Sequence, residues 1–255
     1  MNATASHPPP RAGQDDLDEA LALLSQAIAE APADSAAVTG GPLRQRLLGR
    51  VAHSAARHRG LVTARRRHAE PQPIAPGATL RRLYAAADAS ALRPGEPLSL
   101  AILELAPAAR LVGGLALAGC ASEWLVLRGA LRVDDVALDA LDHLRRAATA
   151  LEPVLAAGEH GALVYCRNSG AQVLPPQTSR AADAAWEDYA PGIRRRVLWQ
   201  HDGAVAYLAR AVEGAAVPSH GHHRDEESLM LEGDLFLGDV LIREGDFQLA
   251  PAGRV

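Results

Sequence analysis

The nine residues from Ser219 to Glu227, SHGHHRDEE, bring three histidines and three acids together. On a β-strand, side chains two positions apart point to one face, so His220 and His222 can present two imidazoles to a single point. Glu226, after a short turn, can bring a carboxylate to that point from the next strand. Two neutral imidazoles and one carboxylate, with coordination positions left open, suit Zn(II), Fe(II), Mn(II) or Ni(II). His223 alternates away from His222, and His223, Asp225 and Glu227 are read as non-ligands. The competing reading is a solvated polar turn that holds nothing.

The spacing around the cluster narrows the choice. Gly214, His220, His222, Glu226 and Gly233 follow the pattern G(x)5HxH(x)3E(x)6G. That pattern resembles the first motif of the cupin superfamily. Gly245, Pro251 and Gly253 match the opening of the second motif, G(x)5PxG(x)2H, whose histidine would fall one position after Val255. The resemblance implies a jelly-roll β-barrel with a divalent metal inside it: zinc first, with iron, manganese or nickel as alternatives. Gly214, Gly233 and Gly245 would then mark sharp turns of the barrel chain.

Those ligands need strands to carry them, and the chain supplies short apolar runs from about residue 78 onward. LSLAILEL, EWLVLRGAL, GALVYC, VAYLAR and ESLMLEGDLFL alternate with Gly-, Pro- and acid-rich turns, which predicts antiparallel β structure. Residues 137–156 fit a helix equally well. The stretch EPQPIAPG (70–77) reads as a linker. A gapless internal repeat lays Ser122–Asp142 over Glu226–Asp246 at an offset of 104, with eight identities in 21 positions, Glu123/Glu227, Gly129/Gly233 and Asp142/Asp246 among them. In the first copy His220, His222 and Glu226 become Ala116, Ala118 and Ser122, a set too poor in donors for a metal. The second copy ends sooner after its repeat than the first, which predicts either a longer chain or a barrel open at one edge.

Upstream the texture is helical. Residues 15–31 carry leucine and alanine at helical spacing behind four early acids. Leu43, Leu47, Leu48, Val51 and Ala55 share one face of a second helix that ends near Gly60. The expected organisation is therefore a disordered tail (1–14), a helical segment (15–69), a metal-free barrel (78–170) and a metal-binding barrel (182–255). In class this is a mainly β protein with two tandem cupin-type barrels behind a short α-helical segment.

Composition limits the partners. The net charge is −4, yet residues 43–68 hold eight arginines and no acid, so nucleic acid would touch this segment or nothing. No aromatic residue stands there to stack on bases, and nucleic-acid binding is not expected. Two cysteines without a CxxC pair exclude a disulfide framework. The opening MNATASHPPPRAGQ lacks the pattern of a signal peptide, and no apolar run approaches ~18 residues, so a cytoplasmic protein without a membrane span is expected.

A helical segment ahead of cupin-like barrels, with WEDYAPGIRRRVLW (Trp186–Trp199) leading into the second, resembles the ChrR-type anti-sigma factors. That resemblance implies a regulator whose helical part masks a sigma factor while a metal-binding cupin domain responds to an oxidant. The family's His-x3-Cys-x2-Cys motif is absent, since no cysteine precedes Cys120. Residues 15–60 would have to bind a sigma factor by amphipathic packing without zinc. The alternatives are a metal-dependent dioxygenase, for which Arg243 is the one arginine noted, and a small-molecule-binding cupin without catalysis. Barrel packing between chains would give a homodimer.

Overall fold

Short runs that alternate apolar and polar residues bury one face each, which is how strands assemble into sheets around a core. A computed structural model describes residues 40–57, 60–87, 96–113, 115, 120–147, 152–170, 175–217, 223–237 and 240–253. Within them lie one α-helix, α1 (Gly40–Arg57), and seventeen strands. In chain order the first are β1 (Val62–Ala64), β2 (Pro71–Ala75), β3 (Ala78–Ala85), β4 (Pro97–Leu105), β5 (Arg110–Val112) and β6 (Ala121–Val133). Next come β7 (Val136–Leu138), β8 (His143–Arg146), β9 (Val154–Ser169), β10 (Gln177–Ser179), β11 (Glu187–Ala190) and β12 (Ile193–His201). The last are β13 (Ala204–Ala211), β14 (Glu226–Leu229), β15 (Asp234–Leu237), β16 (Val240–Arg243) and β17 (Phe247–Ala250). The fold is mainly β, in jelly-roll units, with a short N-terminal helix.

Helix α1 covers the second expected helix, and Gly60 follows it with a φ of +89°. Its leucine stripe faces solvent: Leu43, Leu47 and Leu48 are 52%, 40% and 40% exposed. The helix expected over 15–31 lies outside the described residues. No helix among the described residues is long and apolar enough to cross a membrane.

Two expectations change. Residues 71–75 are not a linker but strand β2, an edge strand on β3, where Pro71 and Pro73 need no ladder partner on the open side. The ambiguous stretch 137–156 has no helix where it is described and forms β7, β8 and the start of β9. Asp134 makes the turn before β7 with a φ of +51°, and β7 pairs back on β6, so the leucines there serve a sheet face rather than a helical stripe.

The described residues divide into two compact units, one running from Arg66 to Arg224, the other joining residues up to Arg65 with those from Asp225 on. In the first, the antiparallel order is β10-β8-β6-β9-β4-β3-β2. Leu80, Leu103, Trp124, Val126 and Val164 meet in its core. Alternation turns Leu125 the other way, where it packs with Leu198 of β12 and Leu208 of β13. In the second unit the order is β1-β17-β14, beside the hairpin β15-β16.

The duplication is exact in register. Ser122↔Arg146 and Leu125↔His143 between β6 and β8 reappear as Glu226↔Ala250 and Leu229↔Phe247 between β14 and β17. It also reaches further than the 21 aligned positions. At an offset of 115, APGATLRRLY (75–84) lies over APGIRRRVLW (190–199). The bulge of β2 between Pro73 and Ala75 returns in β11 between Asp188 and Ala190. That of β3 between Arg82 and Tyr84 returns in β12 between Val197 and Trp199.

Each copy has the same clip at its edge. Asp142 accepts from the Asp139 amide (3.0 Å), the Ala181 amide (2.7 Å) and Arg180 Nη1 (2.9 Å), while Arg180 also donates to the Ala137 carbonyl. Asp246 accepts from the Arg243 amide (3.1 Å) and Arg65 Nη1 (2.9 Å), while Arg65 also donates to the Leu241 carbonyl. Arg180 follows β10, which pairs with β8, and Arg65 follows β1, which pairs with β17. A strand from before the first copy thus flanks the last strand of the second, and β14 is the end strand of that sheet. In the first copy the corresponding side of β6 is taken by β9.

Gly214, Gly233 and Gly245 all have positive φ, as the motif requires. Gly129 and Gly233 are equivalent and share a φ of +78°, a left-handed conformation that costs an L-residue about 1–2 kcal/mol. A Cβ at Gly233 meets nothing within 4 Å, whereas one at Gly129 would stand 2.1 Å from the Gly161 carbonyl oxygen. Gly233→Ala is expected to cost about 1–2 kcal/mol in denaturant unfolding, the left-handed penalty alone, and Gly129→Ala clearly more, because a backbone must move. Equal costs would contradict the packing difference.

Candidate metal centre

The structure places one of the three expected ligands. Glu226 opens β14, half-buried, with its Cα opposite Ala250 of β17. One residue earlier, Asp225 Oδ1 accepts the Ala252 amide at 2.9 Å. These contacts set the Asp225–Glu227 segment against the Pro251–Gly253 turn, so the two glycine-bearing motifs converge in space. His220 and His222 lie outside the described residues, and His223 is exposed. Among the described residues, no group of three or more His, Cys, Asp or Glu is placed to hold an ion. Arg243 is exposed, and its amide serves the Asp246 clip.

The first copy shows what the Glu226 position becomes without a carboxylate. Ser122 is buried on the face that carries Trp124 and Val126. Its Oγ bonds Asn168 Oδ1 at 2.8 Å, while Asn168 Nδ2 donates to Ser99 Oγ (3.0 Å) and the Leu115 carbonyl (2.7 Å). The polar atoms satisfy one another, which is how a buried group avoids its desolvation cost. Ala116 and Ala118 lie outside the described residues. By register Glu226 stands where Ser122 does, so the second copy puts a carboxylate on its core-facing side of β14. With two imidazoles four and six positions earlier in sequence, the donor set fits a divalent ion.

A second polar cluster escaped the sequence reading. Glu123, one residue past Ser122 and facing the other way, is buried and accepts from Arg167 Nη1 (2.8 Å), Trp199 Nε1 (2.8 Å) and His143 Nε2 (3.0 Å). Burial alone would raise its carboxyl, but Arg167, assisted by His143 and Trp199, outweighs that and holds it at about 2. Buried Arg145 stacks 4.8 Å over the Trp199 ring and donates to the Pro175 carbonyl and Gln177 Oε1, each at 3.2 Å. Both Glu123 oxygens are engaged, so the cluster joins β6, β8 and β9 to β12. Its members stand 20 to 76 positions from Glu123, beyond any spacing rule. The one available signal was the identity of Glu123 with Glu227 in the repeat.

Comparison with known proteins fits this geometry. Residues 176–255 match the family described as ChrR Cupin-like domain. The chain resembles solved structures of cupin fold. Lactobacillus farciminis oxalate decarboxylase superposes with a TM-score of 0.57 at 10% identity, over 74% of this chain and 79% of that one. A variant of Bacillus subtilis oxalate decarboxylase gives 0.57 at 12% identity, over 74% and 71%. AerE from Microcystis aeruginosa gives 0.54 at 16% identity, over 72% and 86%. No curated protein matches the chain in sequence.

Proposed function

We propose, from the premise that residues 176–255 form a ChrR cupin-like domain in a chain of cupin fold, that this protein is a metal-dependent cytoplasmic regulator. Its second copy holds a divalent ion, zinc first, through His220, His222 and Glu226, and the copy senses an oxidant or small molecule. Its N-terminal helical segment, residues 15–60, engages a sigma factor. One observation carries the reading: the motif spacing from Gly214 to Gly233 stands within the matched domain, with left-handed turns at both glycines and Glu226 at the head of β14. The solvent-facing leucines of α1 support a partner for the helix. The oxalate decarboxylases share the fold at low identity, which carries no reaction to this chain.

The protein's own groups define the centre's chemistry. Two neutral imidazoles and a carboxylate leave open positions, and the bound ion would supply a Lewis-acidic or redox-active point for a small oxidant. Asp225, held by the Ala252 amide, fixes the entry of β14 and so the aim of the next residue.

Metal analysis by mass spectrometry on tag-free protein tests the proposal. The chain is expected to carry near-stoichiometric metal and His220→Ala/His222→Ala only background, with the β-sheet circular dichroism unchanged. Metal that persists in the double variant, or is absent from both proteins, overturns the metal reading. Capture of a sigma factor by the full chain, weakened by oxidant or chelator, tests the regulatory half.

A further inference from the structure

Relative to their shared register, the two copies differ on one face of the sheet β11-β12-β13. Offset by 115, Arg195 of β12 takes the place of Leu80 in β3. Tyr207 of β13, opposite Val197, takes the place of Ala101 of β4, opposite Arg82. Leu80 and Ala101 are buried members of the first copy's core. In the second copy Arg195 keeps a side chain 31% exposed, and Tyr207 is exposed as well. Two buried aliphatic positions of one copy are held by a partly open arginine and an exposed tyrosine in the other.

The three residues there are organised as a unit. The Arg195 guanidinium lies 5.1 Å from the ring centre of Tyr189 and 6.0 Å from that of Tyr207, and the two rings are 6.0 Å apart. Tyr189 sits at the β11 bulge, which re-aims its side chain toward that arginine. Glu187 accepts from Arg195 Nε at 2.6 Å and orients the fork. The two Nη groups make no hydrogen bond among the described residues, and they form the end of the guanidinium that matches a carboxylate with two parallel bonds.

We propose that this face of β11-β12-β13 binds a small planar monocarboxylate, with Arg195 gripping the carboxylate and Tyr189 and Tyr207 flanking its aromatic or conjugated body. The Glu187 carboxylate beside the arginine neutralises part of its charge, which favours a monoanion over a phosphate dianion. Two tyrosine rings favour a flat hydrocarbon body over a sugar or an inorganic anion. The inference rests on the reading of the second copy as a small-molecule sensor and supplies its ligand class. It does not require the metal.

Calorimetric titration of the full chain with benzoate, and with benzamide as the neutral isostere, tests it. Benzoate is expected to bind the wild-type chain, with Arg195→Gln about tenfold weaker or worse and benzamide weaker by a similar factor. Arg128→Gln removes a charge at another exposed position of the same unit and is expected to bind as wild type. Arg195→Lys, retaining charge but not the fork, is expected to fall between wild type and Arg195→Gln. His220→Ala/His222→Ala is expected to bind benzoate unchanged, which separates this site from the proposed metal. Failure of the wild-type chain to bind benzoate, equal affinity in Arg195→Gln, or loss of binding only in the histidine variant each overturns the proposal, the last by placing the carboxylate on the metal. Circular dichroism of Arg195→Gln excludes unfolding as the cause of a loss.

Discussion

Glu123→Ala is expected to destabilise the Arg66–Arg224 unit by about 3–5 kcal/mol, among the largest effects available to a single substitution here. The carboxylate is buried and takes three donors, so its removal takes a shared buried acceptor from Arg167, His143 and the Trp199 N–H, with buried Arg145 beside them. Stranded buried charges are costlier than a pair replaced whole. Glu123→Gln should lose less than Glu123→Ala, because one amide oxygen still accepts. Denaturant unfolding of both variants gives the comparison, and a loss below about 1 kcal/mol for the alanine would deny the cluster its role. Acid should reproduce the effect without mutation. The folded carboxyl titrates near 2 against an ordinary value of 4.5, so its contribution is complete above about pH 4.5 and fades as the pH falls toward 2. Wild type should lose stability across that window more steeply than Glu123→Gln.

Asp246→Ala is expected to cost the other unit about 2–4 kcal/mol. Asp246 is buried, receives Arg65 and the Arg243 amide, and holds both the turn before β17 and the residue after β1. Amide hydrogen exchange provides the specific readout. Protection at Thr63 and its neighbours on β17 should fall in Asp246→Ala while β6 and β9 keep theirs. Arg65→Ala should give the same pattern with a smaller cost, since Arg65 is partly exposed and its loss leaves Asp246 one of its donors. Asp142→Ala is the matched control in the first copy, where the loss of protection should move to β10. If Asp246→Ala leaves β1 protected, the pairing of the strands, rather than the clip, carries the attachment.

The sequence showed what is local or repeated. The strand runs, the turn glycines and the spacing from Gly214 to Gly233 follow from period-two alternation and from φ values that favour glycine, both readable in a short window. The offset of 104 was visible because its 21 positions contain no gap. The offset of 115 was not, since the copies differ in length between the two blocks and only backbone register joins them. Pro71 and Pro73 read as a linker because an edge position, the one place in a sheet that tolerates them, is a tertiary fact. Nothing in the residues next to Glu123 marks it as buried, and its arginine, histidine and tryptophan come from three other strands. At the proposed metal centre, residue chemistry and spacing gave the candidate ligands, and the structure added the convergence of the Asp225–Glu226 segment with the Pro251–Gly253 turn.

The Arg65–Asp246 clip joins residues 181 positions apart, and this sets an order of events during synthesis. The Arg66–Arg224 unit can complete its own ladders while the ribosome is still adding residues, since all its strands come from one continuous stretch. Strand β1 leaves the ribosome among the first residues described, yet it must wait for β17, almost the last. In that interval its backbone donors and acceptors have no ladder to join, and the long loop must close against its entropy before β17 can receive it. The second unit should therefore be the late and chaperone-sensitive step, with misfolded chains accumulating when delivery of β14–β17 is delayed rather than that of the strands before them.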